Sequence, residues 1–408
     1  MSGVFRVEKY FTRVLSSSVS LVFTIELASL NLFLFFLPLL EAPKNIFAFL
    51  YILSATINLV CKKRWTESER LLIFFTAIII LTTLLAGSAS DILPLEQRLR
   101  NSLYWLTMPI LCSLFIVRGY SYTEKKQLLS VFCISMVVLI LEAFYQNTNS
   151  LRSVGHPNQS ALFATTAYVI LVWLVANQRS IMIRLMAVVA IFLTIIFIIR
   201  TSSLLSVGLV IIVSLSWMLS GVRFKRSRWL HYIMIFIVAS ISLVALFGKN
   251  LEIHDKMKSR LESSSMTSHR IELLNSYRLF FDDHFLLGWG VGSFKQVVTE
   301  ERVKAKLNIA TGDQWHPISR RFHFSQHAHN FYGQILIERG LIGLIVIVAY
   351  VATIMRALPS KRDFSLITPL LIIFFCGGLF QTTLHAEHGI LGLWALCLAA
   401  KPSIAEGF

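Results

Sequence analysis

Runs of apolar residues about as long as a bilayer is thick recur along this chain and constrain its fold more than any other feature. Roughly 20 helical residues cross the ~30 Å hydrocarbon core, and about twelve such runs can be read from the sequence. They lie near residues 17–40, 44–60, 71–88, 102–118, 127–146, 159–177, 181–199, 203–220, 229–247, 340–356, 365–381 and 388–400. Lipid cannot hydrogen bond to the backbone, so each run is expected to be helical. The sequence therefore predicts an all-α integral membrane protein with about twelve transmembrane helices.

Composition supports this class and excludes a single soluble domain. The 408 residues are 55% hydrophobic and only 15% charged, and the mean hydropathy is +0.68. A formal charge of +16 would suggest a nucleic-acid partner for a soluble protein. Here the basic residues flank the apolar runs, as they do in the cytoplasmic loops of membrane proteins. We therefore interpret the positive charge as a sign of which loops are cytoplasmic. We expect membrane lipids around the chain and no nucleic-acid partner.

The distribution of basic residues predicts the orientation of the chain and its division into parts. Clusters such as Lys62-Lys63-Arg64 fall on one side of the membrane, and few basic residues fall in the short loops on the other, which places both termini inside. One connection is long and lies outside, between spans nine and ten. The predicted parts are residues 1–247 with spans one to nine, residues 248–330 as a large outer loop region with helices, and residues 331–408 with spans ten to twelve.

The most concentrated polar chemistry stands at the start of the tenth span. Asn330, Gln334 and Glu338 are four residues apart and so share one face of a helix. The sequence turns wholly apolar after Gly340, so this polar stripe runs from the outer loop into hydrocarbon. Either the stripe has a partner within the protein, or it is a plain interfacial helix start whose amides and carboxylate are solvated.

Three histidines precede the stripe in the pattern HxxxHxH: His323, His327 and His329. An imidazole is the usual proton acceptor at neutral pH, and His329 is the candidate base because it adjoins Asn330, which we expect to orient its ring. A metal site is the alternative, since His323 and His327 could share a helix face. No cysteine or obvious carboxylate nearby completes a ligand set, so we predict no metal.

Arg200 ends the seventh span at the edge of the hydrocarbon, with Ile198 and Ile199 before it and Thr201-Ser202-Ser203 after it. An unpaired cation is costly at this depth. The guanidinium either snorkels to the lipid headgroups or faces a lateral cavity and binds an anion. Its planar fork would suit bidentate contact with a phosphate group.

A glycine-rich stretch in the long loop, GWGVGS at residues 288–293, superficially resembles a nucleotide-binding loop. No predicted strand precedes it, and the topology turns it away from cytoplasmic nucleotides. The spacing of apolar residues between Ile271 and Phe280 predicts a helix before it. We therefore interpret the stretch as a turn that closes this helix.

Two segments of the loop region carry a resemblance to a known family. SHRIELLNSYRLFFDDHFLLGWGVGSF and HAHNFYGQILIERGLIGL resemble segments of the bacterial O-antigen ligase and polymerase superfamily of integral membrane glycosyltransferases. In that family an arginine opens a helix before a glycine-rich turn, and a His-Asn pair leads into a glycine-containing span. Arg270 and His329 occupy the matching positions. Arg200 matches the arginine at the outer end of a mid-chain span, although Ser or Thr often precedes that arginine in the family and isoleucines precede it here.

The resemblance implies a fold, a place and a reaction. It implies a multi-pass protein of the bacterial inner membrane whose active site and large loop face the periplasm, acting on a glycan linked to undecaprenyl diphosphate without metal or other cofactor. Arg200 and Arg270 would bind the diphosphate, and His329 would take the proton of the acceptor hydroxyl in an inverting transfer. Residues in support would be Asn330, Gln334 and His327.

Three functions remain open at this stage. A ligase would transfer O-antigen polysaccharide to the lipid A-core oligosaccharide, whereas a polymerase would join carrier-linked repeats. We favour the ligase because the sequence has one large outer loop rather than two. A polysaccharide transporter or flippase would also have about twelve spans, but its polar residues should gather near mid-membrane, and here they gather at the outer face.

Overall fold

The computed structural model describes residues 21–219, 270–356 and 364–379, apart from residues 38, 61, 63, 89–91, 153, 155, 178–179, 310–311 and 325–327. Throughout these residues the chain forms helices joined by turns and contains no strand, which confirms the all-α prediction for this part. The predicted spans at 229–247 and 388–400 and the first part of the long loop lie outside it. The number of about twelve spans, the three-part division and the placement of the loop therefore stay predictions.

The helices of the membrane bundle follow the predicted apolar runs. They are α1 Leu21–Phe36, α2 Glu41–Val60, α3 Glu67–Ser88, α4 Leu95–Arg118, α5 Tyr122–Tyr145, α6 Pro157–Asn177, α7 Ile181–Arg200 and α8 Leu204–Leu219. After the loop region come α13 Phe331–Arg356 and α14 Phe364–Gly378. In the described part of the chain, α2, α3, α5, α6, α7 and α13 are long and apolar enough to cross a membrane, and α1, α8 and α14 are shorter apolar helices.

Helix α4 is longer than its apolar run. The run begins near residue 102, but the helix begins at Leu95 and includes Arg98, Arg100 and Asn101 in its first turns. An apolar run marks only the part of a helix that lies in hydrocarbon, and a helix can continue into the interfacial zone with polar side chains. These turns bring α4 against the loop region, because Asn101 Nδ2 donates to the carbonyl oxygen of Val291 at 3.3 Å.

The loop region has its own helices and its own core. The helices are α9 Arg270–Arg278, α10 Phe294–Val297, α11 Glu300–Lys306 and α12 Gly312–Ser319, with a single 3₁₀ turn at Asp282–His284. The core of this region contains Leu273, Tyr277, Phe294 and Trp315, and it also includes Ile337 of α13. The loop region is therefore packed onto the membrane bundle through α13.

The bundle has two ends, which we call the loop end and the far end. The loop end carries residues 270–330 and the start of α4, so the last residue of α4, Arg118, lies at the far end. Helix α5 starts near Arg118 and returns to the loop end at Tyr145, where it meets the last residue of α7, Arg200. Most residues of helix α6 are buried, so this helix lies in the interior of the bundle.

A buried ion-pair network closes the far end. Glu26 of α1 is 0% exposed, and Arg118 Nε donates to its two carboxylate oxygens at 2.9 and 3.0 Å. The hydroxyl of Tyr120 and the side-chain amide of Asn58 in α2 donate to the same carboxylate. Together these contacts neutralise the arginine and join α1, α2 and α4.

Candidate functional site

Helix α13 is broken at Gly340, nine residues after it begins. Gly340 has φ 66° and ψ −170°, a backbone conformation that residues other than glycine rarely adopt. A Cβ added there would lie 2.3 Å from the backbone of Leu286. The break is therefore fixed by close contact with the turn that precedes the glycine-rich stretch.

The glycine-rich turn supplies the hydrogen bonds that the broken helix lacks. Before the break, the backbone N–H of Trp289 donates to the carbonyl of Ile337 at 2.7 Å, and that of Gly290 donates to the carbonyl of Glu338 at 3.0 Å. After the break, the N–H of Leu341 donates to the carbonyl of Phe285 at 2.8 Å, and that of Ile342 donates to the carbonyl of Leu286 at 3.2 Å. Irregular backbone within a membrane helix is tolerated only where such groups are satisfied. The stretch is a turn, as predicted, but it closes against α13, and α9 has already ended at Arg278.

The polar stripe of α13 has a partner within the protein. Gln334 and Glu338 are each 6% exposed, so the solvated interpretation is wrong for these two residues. Gln334 Nε2 donates to Glu338 Oε1 at 3.1 Å, and the backbone N–H groups of Gly292 and Phe294 also hydrogen bond to the Glu338 carboxylate. The stripe therefore holds the glycine-rich turn against the helix.

His329 and Asn330 form the entrance to α13. His329 has φ 48°, a left-handed conformation uncommon outside glycine. Asn330 caps the helix, because its Oδ1 accepts the N–H of Gly333 at 2.9 Å and its Nδ2 donates to the carbonyl of Leu379 at 3.2 Å. The amide that we expected to orient the imidazole is thus engaged with α13 and the end of α14. Asn330 fixes the backbone on which His329 stands.

Arg270 is the first described residue of this region and lies in α9. This helix is held to the segment before His329, since Ser276 Oγ donates to the carbonyl of His323 at 2.7 Å. Tyr277 packs under Gly333 of α13, where a Cβ would lie 2.7 Å from the tyrosine oxygen. Burial raises the pKa of Tyr277 to about 12, so this phenol stays neutral beside the helix entrance. Arg270 and His329 are thereby attached to one packed unit, whereas His327 lies outside the described residues.

Arg200 is the last residue of α7 and is half-buried at the loop end. Its Nε donates to Asn149 Oδ1 at 3.1 Å, its Nη2 donates to Asn147 Oδ1, and its guanidinium carbon lies 5.6 Å from the ring centroid of Phe144. All three partners are uncharged. Among the described residues no carboxylate pairs with Arg200.

Glu142, one turn before the end of α5, carries a carboxylate whose recorded partners are other residues of this segment. Glu142 Oε1 accepts from Arg152 at 3.2 Å and from Gln146 at 2.9 Å. The loop thus pairs one arginine with the carboxylate and holds the other with amide oxygens. Arg200 consequently has no carboxylate counter-ion among the described residues at the edge of the bundle.

The sequence did not point to Asn147, Asn149 or Arg339 as functional residues. Arg339 is 4% exposed, donates from Nη1 to Thr83 Oγ1 at 2.7 Å and stacks at 3.3 Å on the centroid of Trp105. It therefore binds α13 to α3 and α4. The available signals were an Asn-x-Asn pair directly after a span and a charged Glu-Arg pair inside one, and both needed the neighbouring helices for their interpretation.

Comparison with known proteins identifies related sequences. Residues 164–348 match the O-antigen ligase family, and this range includes Arg200, Arg270 and His329. Over 189 residues the chain is 24% identical to a protein of Rickettsia conorii (strain ATCC VR-613 / Malish 7) named "putative polysaccharide ligase", an alignment that covers 45% of this chain and 44% of that protein. The chain thus spans less than half the length of this relative. The resemblance seen in the sequence is confirmed over the matched residues.

Proposed function

From the match to the O-antigen ligase family, we propose that this protein is a membrane glycosyltransferase that transfers O-antigen polysaccharide from undecaprenyl diphosphate to the lipid A-core oligosaccharide. The protein would act in the bacterial inner membrane, with the loop end facing the periplasm. The donor's polyprenyl tail would lie in lipid and its diphosphate at the interface. The substrate therefore calls for a cation at the end of a membrane helix.

The observation that carries the proposal is the state of Arg200. Its guanidinium stands at the end of α7 with neutral partners, so its charge is available to an anion at the depth of the donor's diphosphate. When the glycosidic bond breaks, negative charge grows on the leaving diphosphate. Arginine donors held in place before the reaction stabilise that charge more than they stabilise the ground state. Arg270 would supply a second cation.

His329 would act on the acceptor. A neutral imidazole would accept the proton of the attacking sugar hydroxyl as the oxygen bonds to the anomeric carbon and the diphosphate departs. Such direct displacement inverts the anomeric centre. The capped start of α13 and the Gln334–Glu338 contact with the glycine-rich turn would keep this base in place.

Polymerase activity is the second candidate, and the lipopolysaccharide of a deletion strain distinguishes the two. Loss of the ligase leaves core without O-antigen, whereas loss of a polymerase leaves core bearing one repeat. Wild-type lipopolysaccharide in the deletion strain would contradict both candidates and the transporter as well. Core without O-antigen, together with carrier-linked glycan accumulated on the inner leaflet, would indicate the transporter instead.

The same strain tests His329. Complementation with His329→Ala should restore little O-antigen, because a general base contributes roughly 10²–10⁴-fold to the rate. His323→Ala is the matched control, since this histidine lies six residues earlier and is exposed. Full restoration by His329→Ala, at a protein level equal to wild type, would remove it as the base.

A further inference from the structure

The loop after α5 holds one particular edge of the Arg200 guanidinium. A guanidinium has five N–H donors in a fixed fork. Asn149 accepts from Nε at 3.1 Å and Asn147 accepts from Nη2, and these two nitrogens form one lateral edge of the guanidinium, which we call the inner edge. Within the part of the chain that the structure describes, the outer edge, formed by Nη1 and the second hydrogen of Nη2, has no recorded partner and so remains for a ligand.

The backbone of this loop is itself fixed. Asn147 has φ 53°, the left-handed conformation that asparagine adopts readily at the end of a helix. The N–H of Thr148 donates to the carbonyl of Ala143 at 3.0 Å, and that of Asn147 donates to the carbonyl of Phe144 at 3.1 Å. These are the bonds that terminate α5. The two amide side chains therefore project from a defined helix end and reach Arg200 across a sequence separation of about fifty residues.

The side chains that contact Arg200 in this loop are uncharged, so none of them forms an ion pair with it. Amide oxygens orient a guanidinium by hydrogen bonds without neutralising it. The carboxylate of Glu142, on the last turns of α5, accepts from Arg152 and Gln146, and among the described residues no carboxylate pairs with Arg200. The ring of Phe144 covers part of the guanidinium and restricts its remaining freedom.

We propose that Asn147 and Asn149 are positioning residues, which hold Arg200 by its inner edge so that the outer edge is presented as a two-pronged donor to the diphosphate of a lipid-linked glycan. This inference rests on the proposed function of Arg200. It adds that the two asparagines must be uncharged, because a carboxylate in either place would compete with the diphosphate.

The test compares two substitutions of Asn149 in the purified full-length protein, using an undecaprenyl diphosphate-linked glycan as donor. Asn149→Ala removes one hydrogen bond, and the KM for the donor should rise roughly 3- to 10-fold. Asn149→Asp keeps an acceptor oxygen but adds a negative charge, and the KM should rise about tenfold beyond the alanine variant. The kcat at saturating donor should change less than the KM in both.

The order of the two variants is what decides. If Asn149 served only to pack the loop, the nearly isosteric aspartate would behave like wild type and alanine would be the worse variant, which would overturn the proposal. Asn308→Asp is the matched control, because Asn308 is an exposed asparagine in the loop region that also has a left-handed backbone, φ 54°. An equal rise in KM for Asn308→Asp would mean general repulsion of the anionic donor and would also overturn it.

Arg200→Gln separates this inference from the proposed function. If Arg200→Gln leaves the donor KM and transfer unchanged, the assigned role of Arg200 is wrong and the inference falls with it. If Arg200→Gln is impaired while Asn149→Asp equals wild type, only the positioning role is wrong. Thermal unfolding in detergent, measured for every variant, identifies any change that comes from misfolding.

Discussion

The two ends of the membrane bundle each hold an arginine at the end of a helix, and the partners of these two arginines differ in charge. At the far end Arg118 pairs with Glu26, a carboxylate that is 0% exposed and also accepts from Tyr120 and Asn58. At the loop end the partners of Arg200 among the described residues are amide oxygens and an aromatic ring. Both are last residues of membrane helices, so depth alone does not explain the difference.

The partners of an arginine distinguish a structural role from a functional one in this fold. A buried ion pair is closed, because each charge has the other as its partner and neither is available to a ligand. A guanidinium oriented by neutral oxygens is fixed in position, and its positive charge can still pair with an anionic ligand. Function should therefore be sensitive at the loop end, and stability should be sensitive at the far end.

The largest expected effect is at the far end. Glu26→Ala leaves Arg118 without its carboxylate, and breaking a buried pair on one side costs about 3–5 kcal/mol of folding free energy. Thermal unfolding in detergent should show a large fall in the melting temperature, while Glu96→Ala, at an exposed carboxylate of α4, should show almost none. Equal melting temperatures for the two variants would contradict a structural role for the Glu26 network.

The second effect is at the loop end and should appear in transfer rather than in stability. Arg200→Gln keeps a polar side chain but removes the charge, and loss of one donor to a developing anion costs about 10²–10³-fold in rate. The melting temperature should stay close to that of wild type. A large fall in melting temperature with normal transfer by the folded fraction would show that Arg200 resembles Arg118 and would end the comparison.

The smallest effect should come from Arg152, which lies at the loop end but is paired with Glu142. An exposed ion pair contributes about 0–1 kcal/mol, so Arg152→Gln should hardly change either the melting temperature or transfer. This variant shows whether location or pairing decides. A transfer defect as large as that of Arg200→Gln would mean that every cation at the loop end matters.

The sequence predicted those features that depend on one helix at a time. Apolar length predicted the helices, and the position of Arg200 at the end of an apolar run placed it at a helix end. Residues four apart predicted the stripe from Asn330 through Glu338. The spacing of apolar residues between Ile271 and Phe280 predicted α9, the helix in which Arg270 lies.

Contacts between distant segments could not be predicted in this way. The partners of Arg200 lie in a loop about fifty residues earlier, and nothing in their spacing points to α7. The glycine-rich stretch was interpreted from its neighbours in sequence and so was assigned to the preceding helix rather than to α13. From the sequence alone, Glu338 could have been exposed to solvent. Its burial depends on backbone N–H groups of the glycine-rich turn, which lie more than forty residues earlier in the chain.

The break at Gly340 bears on the order in which this protein is made. The ribosome completes the glycine-rich turn before it reaches α13, so the hydrogen-bonding partner of the broken helix is synthesised first. Helix α13 cannot satisfy its own backbone in lipid, and its stable insertion should await the folded turn. A bulkier residue at Gly288, whose Cβ would lie 2.3 Å from the backbone nitrogen of Arg339, would then act as a defect of biogenesis, seen as lost protein in the membrane rather than as a slow enzyme.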